Sequence, residues 1–126
     1  DRIDMYVEVP RVKIEKLSAT VKAEPSKTVR SRVMIAKKIQ QERFKGTKIK
    51  SNSEMRNNDI KKYCQVDERT KKLLNSAVER LGLSARGYHR ILKLARSISD
   101  LANEKNISST HIAEALQYRP KEKKEY

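Results

Sequence analysis

The strongest structural signal in the sequence is the periodic stretch at residues 82–102, which reads GLSARGYHRILKLARSISDLA. When residues are placed at 100° intervals, its apolar side chains fall on one side of a helix. These side chains are Ile91, Leu94, Ala95, Ile98 and Ala102, with Tyr88 and Leu101 at the edges. Serine is a preferred N-cap, so the pattern predicts a helix that begins at Ser84 and ends near residue 103.

Four further helices are predicted by capping residues and apolar spacing. They run from Ser26 to about Phe44, from Asn57 to Cys64, from an Asp67 cap to a stop at Gly82, and onward from a cap at Ser108 or Ser109. The first is basic, and its expected inward stripe comprises Val29, Val33, Ala36, Gln40 and Phe44. With three glycines, one phenylalanine and no tryptophan, the chain does not suit a β-sandwich or barrel. The predicted fold class is all-α, a small helical bundle.

A strand stub is predicted ahead of these helices. Residues 3–9, IDMYVEV, alternate between apolar and polar side chains, and Pro10 ends the alternation. A lone strand has no partner, and the sequence contains no second good strand. We therefore expect the rest of its sheet to lie upstream of Asp1, in a longer protein of which this chain is a piece.

The charge of the chain favours an anionic partner. Thirty lysines and arginines against sixteen acidic residues give a net charge of +14, which attracts nucleic acid or nucleotide. A membrane partner is not expected, because no basic helix has a bulky aromatic face and no apolar run is long enough to span a bilayer. The sequence also has no signal peptide, which predicts a cytoplasmic location.

The residue pattern gives little support to metal or nucleophilic chemistry. Cys64 is the only cysteine, which excludes an internal disulfide and predicts a small core residue rather than a nucleophile. His89 and His111 have no further ligands at metal spacing, so no metal site is predicted. The GTK sequence at residues 46–48 lacks the earlier glycine of a phosphate-binding loop.

Two arginines occupy an unusual position in the strongest helix. Arg86 and Arg90 lie in its first two turns, on a different side from the apolar stripe, and Lys93 lies near them. The positive end of the helix dipole disfavours a cation there by roughly 0.3–1 kcal/mol. A phosphate docked at the helix N-terminus would offset this cost. The residues alone leave two interpretations open, a phosphate site and solvated surface arginines.

A family resemblance follows from the order of the motifs. Residues 81–120, LGLSARGYHRILKLARSISDLANEKNISSTHIAEALQYRP, resemble the C-terminal signature of magnesium-chelatase-like AAA+ ATPases, most closely the competence protein ComM (YifB) group. DRIDMYVEVP at residues 1–10 resembles the end of the ATPase core of that family. RVMIAKKIQQERF and IKKYCQVDE resemble the segments between, so the resemblance covers most of residues 1–119.

The resemblance implies a division of the chain into four segments. Residues 1–25 would be the end of the ATPase core, partly disordered, and residues 26–66 a basic helix, a charged loop and a short helix. Residues 67–120 would form the helical lid bundle, and residues 121–126 a tail.

The resemblance also implies two site residues. Arg86, in a Ser-Ala-Arg element, resembles sensor 2, which contacts the γ-phosphate of the ATP on its own subunit. Arg2, in an Asp-Arg-Ile-Asp element, resembles the arginine finger, a catalytic residue that acts in trans on the next subunit of a ring. The implied cofactors are ATP and Mg, in the full-length parent only.

The implied activity belongs to the parent as a whole, since this sequence contains no Walker motif and is expected neither to bind nor to hydrolyse ATP. The implied parent is a hexameric ATP hydrolase that moves DNA, in branch migration during competence and recombination. Its partners would be its own ATPase core, neighbouring subunits and DNA. One alternative is a magnesium chelatase motor subunit, which inserts Mg²⁺ into protoporphyrin, and another is a stand-alone basic helical module that binds DNA.

Overall fold

The computed structural model describes residues 5–9 and 25–119. Over these ranges the chain forms five α-helices, one 3₁₀ turn and no strand. The helices are α1 (Ser26–Arg43), α2 (Asn57–Tyr63), α3 (Glu68–Leu81), α4 (Ala85–Leu101) and α5 (Ser109–Gln117), and the 3₁₀ turn is Asn52–Glu54. The predicted all-α class is confirmed. No described helix is both long and apolar enough to cross a membrane.

The central element of the bundle is α4, which packs against α1, α2, α5 and the 3₁₀ turn, while α3 packs against α5. One apolar core joins these elements. Its buried members are Phe44, Met55, Ile60, Cys64, Leu74, Ile91, Leu92, Ala95, Ile107, Ile112 and Ala115. Because α4 contributes to this core along most of its length, it is the rigid support for any side chain on its outer face.

Most helix ends follow the predicted capping chemistry. The Asp67 carboxylate accepts a hydrogen bond from the Thr70 N–H at 2.7 Å. The Thr70 side chain and this N–H, both as hydrogen-bond donors, lower the pKa of Asp67. Gly82 ends α3 in the left-handed conformation at φ 63°. The exception is α1, whose N-cap is Pro25 rather than the predicted Ser26. Proline has no N–H to satisfy, and its fixed φ suits a residue just before a helix.

The buried face of α4 is rotated from the predicted stripe. Buried positions include Leu92, Arg96 and Asp100, whereas Leu94 and Ile98 are only half-buried. At 100° per residue, the centre of the buried face is turned by roughly 90° towards the polar positions. The cause is a set of ion pairs and hydrogen bonds that stabilises polar side chains inside the bundle, described below.

The predicted inward stripe of α1 is wrong over its first half. Ala36 and Phe44 are buried, but Val29 is 40% and Val33 49% exposed. All residues from 26 to 35 are exposed, so this half of the helix projects beyond the rest of the bundle. Apolar periodicity predicted which side faces the bundle, but not where the bundle ends.

The predicted strand does not form in the part of it that is described. Residues 5–9 are irregular, and the Tyr6 N–H donates a hydrogen bond to the Tyr118 carbonyl at the end of α5, at 2.7 Å. A strand needs a partner edge, and the described ranges provide none. The start of the predicted strand, the connector before Pro25 and the predicted tail lie outside the described residues.

Candidate functional site

The start of α4 is fixed by its cap. Ser84 Oγ accepts a hydrogen bond from the Gly87 N–H at 3.1 Å, and the Ser84 carbonyl accepts one from the Tyr88 N–H at 2.9 Å. The first turn contains no acidic residue. The partial positive charge of this helix end is therefore not offset by a carboxylate of the first turn, which suits an anion.

A cleft of about 360 Å³ opens beside this helix start, between α4 and α2. Three cations from α4 line it, Arg86, Arg90 and Lys93. Asn57 and Ile60 lie on the α2 side. Because no carboxylate is among the described residues that line the cleft, the cleft is electropositive, and its charge is suited to a phosphate.

Arg86 is the most accessible of the three cations. It is exposed, whereas Arg90 and Lys93 are half-buried, and Lys93 Nζ donates to the Ser53 carbonyl at 3.5 Å. A guanidinium at the mouth of the cleft can form two parallel hydrogen bonds with a phosphate that another domain presents. The structure thus brings Arg86, Arg90 and Lys93 together at the helix start, as the sequence spacing places them.

The second predicted site residue, Arg2, lies outside the described residues. The nearest described segment is 5–9, which contacts the end of α5 through Tyr6. The predicted role of Arg2 therefore stays a prediction from the resemblance.

Sequence reasoning missed a buried ion pair that joins α1 to α4. The Arg43 guanidinium donates to both carboxylate oxygens of Asp100, at 2.8 Å and 2.5 Å. The Asn52 side-chain amide donates to Asp100 at 2.9 Å and to Ser97 Oγ at 3.0 Å. The Asp100 side chain has no exposed surface. Arg43 and Asp100 are separated by 57 positions, so no local spacing in the sequence could have revealed the pair.

A second buried arginine, Arg96, joins the end of α2 to the segment after α4. Its guanidinium donates to the carbonyls of Tyr63 at 3.3 Å and Lys105 at 2.8 Å, and to Ser99 Oγ at 2.7 Å. Its Nε lies 3.7 Å from Asp100. Burial lowers the pKa of Arg96, and Asp100 partly offsets this effect. Together with the Arg43 pair, these bonds fix the position of α4 and hence of its outer cations.

Two of the remaining titratable candidates, Cys64 and His111, have structural roles. Burial raises the pKa of Cys64 to about 11, so its thiol is protonated near neutral pH. His111 caps α5, since its Nδ1 accepts from the Ser108 N–H at 2.9 Å, and its Nε2 lies 3.1 Å from Glu104. Within residues 5–9 and 25–119, no three His, Cys, Asp or Glu side chains are grouped as metal ligands would be.

Comparison with known families shows the family to which this helical bundle belongs. Residues 23–119 match the family described as magnesium chelatase, subunit ChlI C-terminal. The chain belongs to this family. The matched range includes all five helices of the magnesium chelatase C-terminal domain and the cleft at Arg86, whereas Arg2 lies before it.

Relatives of this magnesium chelatase C-terminal domain include bacterial proteins that are much longer. The chain is 39% identical over 120 residues to competence protein ComM of Haemophilus influenzae. It is 37% identical to YifB of Salmonella typhimurium and 35% identical to YifB of Escherichia coli. Each match covers 94% of this chain and 23% of the relative. The predicted kinship with the magnesium-chelatase-like and ComM (YifB) group is confirmed.

Proposed function

We propose that this domain is the lid of a magnesium-chelatase-like AAA+ ATPase, in which Arg86 contacts the γ-phosphate of ATP held by the ATPase core of the same chain. The observation that supports it most is the exposed Arg86, which lines an electropositive cleft and belongs to α4, the central helix of the bundle. A lid needs this combination of a rigid support and an accessible cation.

The chemistry required of Arg86 is charge stabilisation. As the γ-phosphoryl group is transferred, negative charge is spread over its oxygens, and a fixed guanidinium offsets that charge. The hydrogen bonds of Arg43 and Arg96 hold α4 in one position within the bundle. Because α4 is already held in place, Arg86 does not need to be repositioned when the reaction occurs.

In this proposal ATP and Mg bind to the longer protein, and this chain supplies two arginines to the reaction. Arg86 acts on the nucleotide of its own subunit. Arg2 acts as an arginine finger on the nucleotide of the next subunit in a hexameric ring, where such a residue can be worth several orders of magnitude in rate.

We further propose that the whole protein is a cytoplasmic motor that acts on DNA, in branch migration during competence and recombination. Two observations support this substrate. The relative from Haemophilus influenzae is named competence protein ComM, and the net charge of +14 favours a polyanion.

The proposal predicts the effect of removing the Arg86 side chain from the full-length protein. Arg86→Ala is expected to lower ATP turnover by about 100-fold or more, because a transition-state cation is lost. Arg80→Ala, which removes an exposed arginine from α3, is the matched control and should keep wild-type turnover. Steady-state phosphate release, with circular dichroism to verify folding, measures both. Wild-type turnover in Arg86→Ala would contradict the proposal.

A second candidate function is the motor subunit of magnesium chelatase, which the family description favours. The two functions differ in what stimulates turnover. A DNA motor should hydrolyse ATP faster when duplex or forked DNA is added, whereas a chelatase motor should not respond to DNA. Measuring turnover with each addition separates them.

A further inference from the structure

The outer face of α1 is unusual in both charge and exposure. Residues 26–41 contain five lysines or arginines and no acidic residue. At 100° per residue, four of these cations fall within an arc of about 100° on the side away from α4. These four are Lys27, Arg30, Lys37 and Lys38, and we call them the α1 basic stripe.

The α1 basic stripe belongs to a part of the helix that other elements leave uncovered. All four residues are exposed, and residues 26–35 are exposed on every side. The helix is anchored only through its second half, where Ala36 is buried and Arg43 pairs with Asp100. The stripe therefore extends over about 16 Å, at a rise of 1.5 Å per residue.

We propose that the α1 basic stripe binds the phosphate backbone of duplex DNA. Duplex DNA has one negative charge per about 1.7 Å of its axis, so several phosphates lie within the reach of four cations spread over this length. A projecting helix can also enter or follow a groove that a flat surface cannot. The proposal deepens the proposed action on DNA and rests on it.

The distribution of apolar side chains argues for DNA over an anionic membrane surface. Met34 and Ile35 are 54% and 52% exposed, yet at 100° per residue they point in directions about 100° apart. A helix that lies in a membrane interface needs one continuous apolar face opposite its cations. In α1, Met34 lies within the basic stripe, so no such separation exists.

The salt dependence of binding measures the number of phosphate contacts directly. Four contacts predict a slope of about −3.6 in a plot of log affinity against log salt, which is about a 150-fold loss between 50 and 200 mM salt. Lys37→Gln/Lys38→Gln removes two contacts. Its slope should fall to about −1.8, so that the same change in salt costs about 12-fold.

A matched control separates the effect of the α1 basic stripe on DNA binding from the effect of net charge. Lys71→Gln/Lys72→Gln removes two adjacent exposed lysines from α3 and changes the net charge equally. The 126-residue chain and both variants are titrated into a fluorescently labelled duplex at several salt concentrations. The proposal requires the control to keep the wild-type slope. Equal losses in both variants, or a wild-type slope for Lys37→Gln/Lys38→Gln, would overturn it.

One further readout, binding to lipid vesicles, completes the test, which is independent of the ATPase proposal. Binding to vesicles that contain phosphatidylserine, without binding to duplex DNA, would overturn the DNA assignment in favour of a membrane surface. ATP turnover is not involved in either titration. A failure of DNA binding by α1 is therefore distinguishable from a failure of the Arg86 proposal, which depends on turnover alone.

Discussion

Asp100 shows how a single buried carboxylate can fix the geometry of this bundle. Its side chain has no exposed surface, and it lies between Arg43 of α1 and Arg96 of its own helix. Removing one partner from a buried ion pair is costly because the other charges stay buried without compensation.

We expect Asp100→Asn to lower the free energy of unfolding by about 3 kcal/mol, because Arg43 and Arg96 would lose their shared counter-charge. Urea unfolding followed by circular dichroism measures this change. Glu79→Gln, an exposed substitution on α3, is the control and should stay within about 0.5 kcal/mol of the wild type. An unchanged unfolding midpoint in Asp100→Asn would show that the ion pair does not stabilise the bundle.

The sequence predicted single residues well where their role is local. The Ser84 cap depends on Gly87, three positions away, and it is present in the structure. The predicted burial of Cys64 is also confirmed. The Arg43–Asp100 pair depends on two helices meeting, so it could not be predicted before the packing was known. The same applies to Arg96, whose partners include the Lys105 carbonyl.

At the scale of the element, the end of α3 depends on one backbone conformation. Gly82 has φ 63° and ψ 38°, the left-handed region that disfavours residues with a Cβ atom, although nothing lies within 4 Å of an added Cβ. Any penalty for substitution must therefore come from the backbone rather than from a clash.

Gly82→Ala is expected to destabilise the chain by about 1 kcal/mol, and Gly82→Asn by less, because asparagine tolerates the left-handed region. Thermal unfolding of the wild type and the two variants gives the order of their stabilities. If alanine is tolerated as well as glycine, or asparagine costs more than alanine, the helix end is not held by this conformation.

The helices themselves were predictable because their periodicity and capping residues lie within each segment. What each helix packs against was less predictable. The buried face of α4 is turned towards Arg96 and Asp100, and the first half of α1 extends past the bundle. Both differences arise from contacts between elements, which a single helical wheel does not contain.

At the scale of the whole molecule, the electropositive cleft at Arg86 and the α1 basic stripe are two separate positive surfaces. The cleft lies between α4 and α2, and the stripe lies on the outer face of the projecting helix α1. In the proposed function the first contacts nucleotide and the second contacts DNA. The Arg43–Asp100 pair joins α1 to α4. It would thus link the helix that contacts DNA to the helix that contacts nucleotide.

In the proposed function, Arg86 acts on the nucleotide of its own subunit and Arg2 acts on that of its neighbour. Mixing full-length Arg86→Ala with full-length Arg2→Ala tests it most directly, with ATP turnover as the measurement. Each variant alone should be nearly inactive. In a randomly mixed ring, about one quarter of the sites would combine an intact Arg86 with an intact Arg2 from the neighbour, so about a quarter of wild-type turnover should return. A mixture as inactive as its two components would contradict these roles of Arg86 and Arg2.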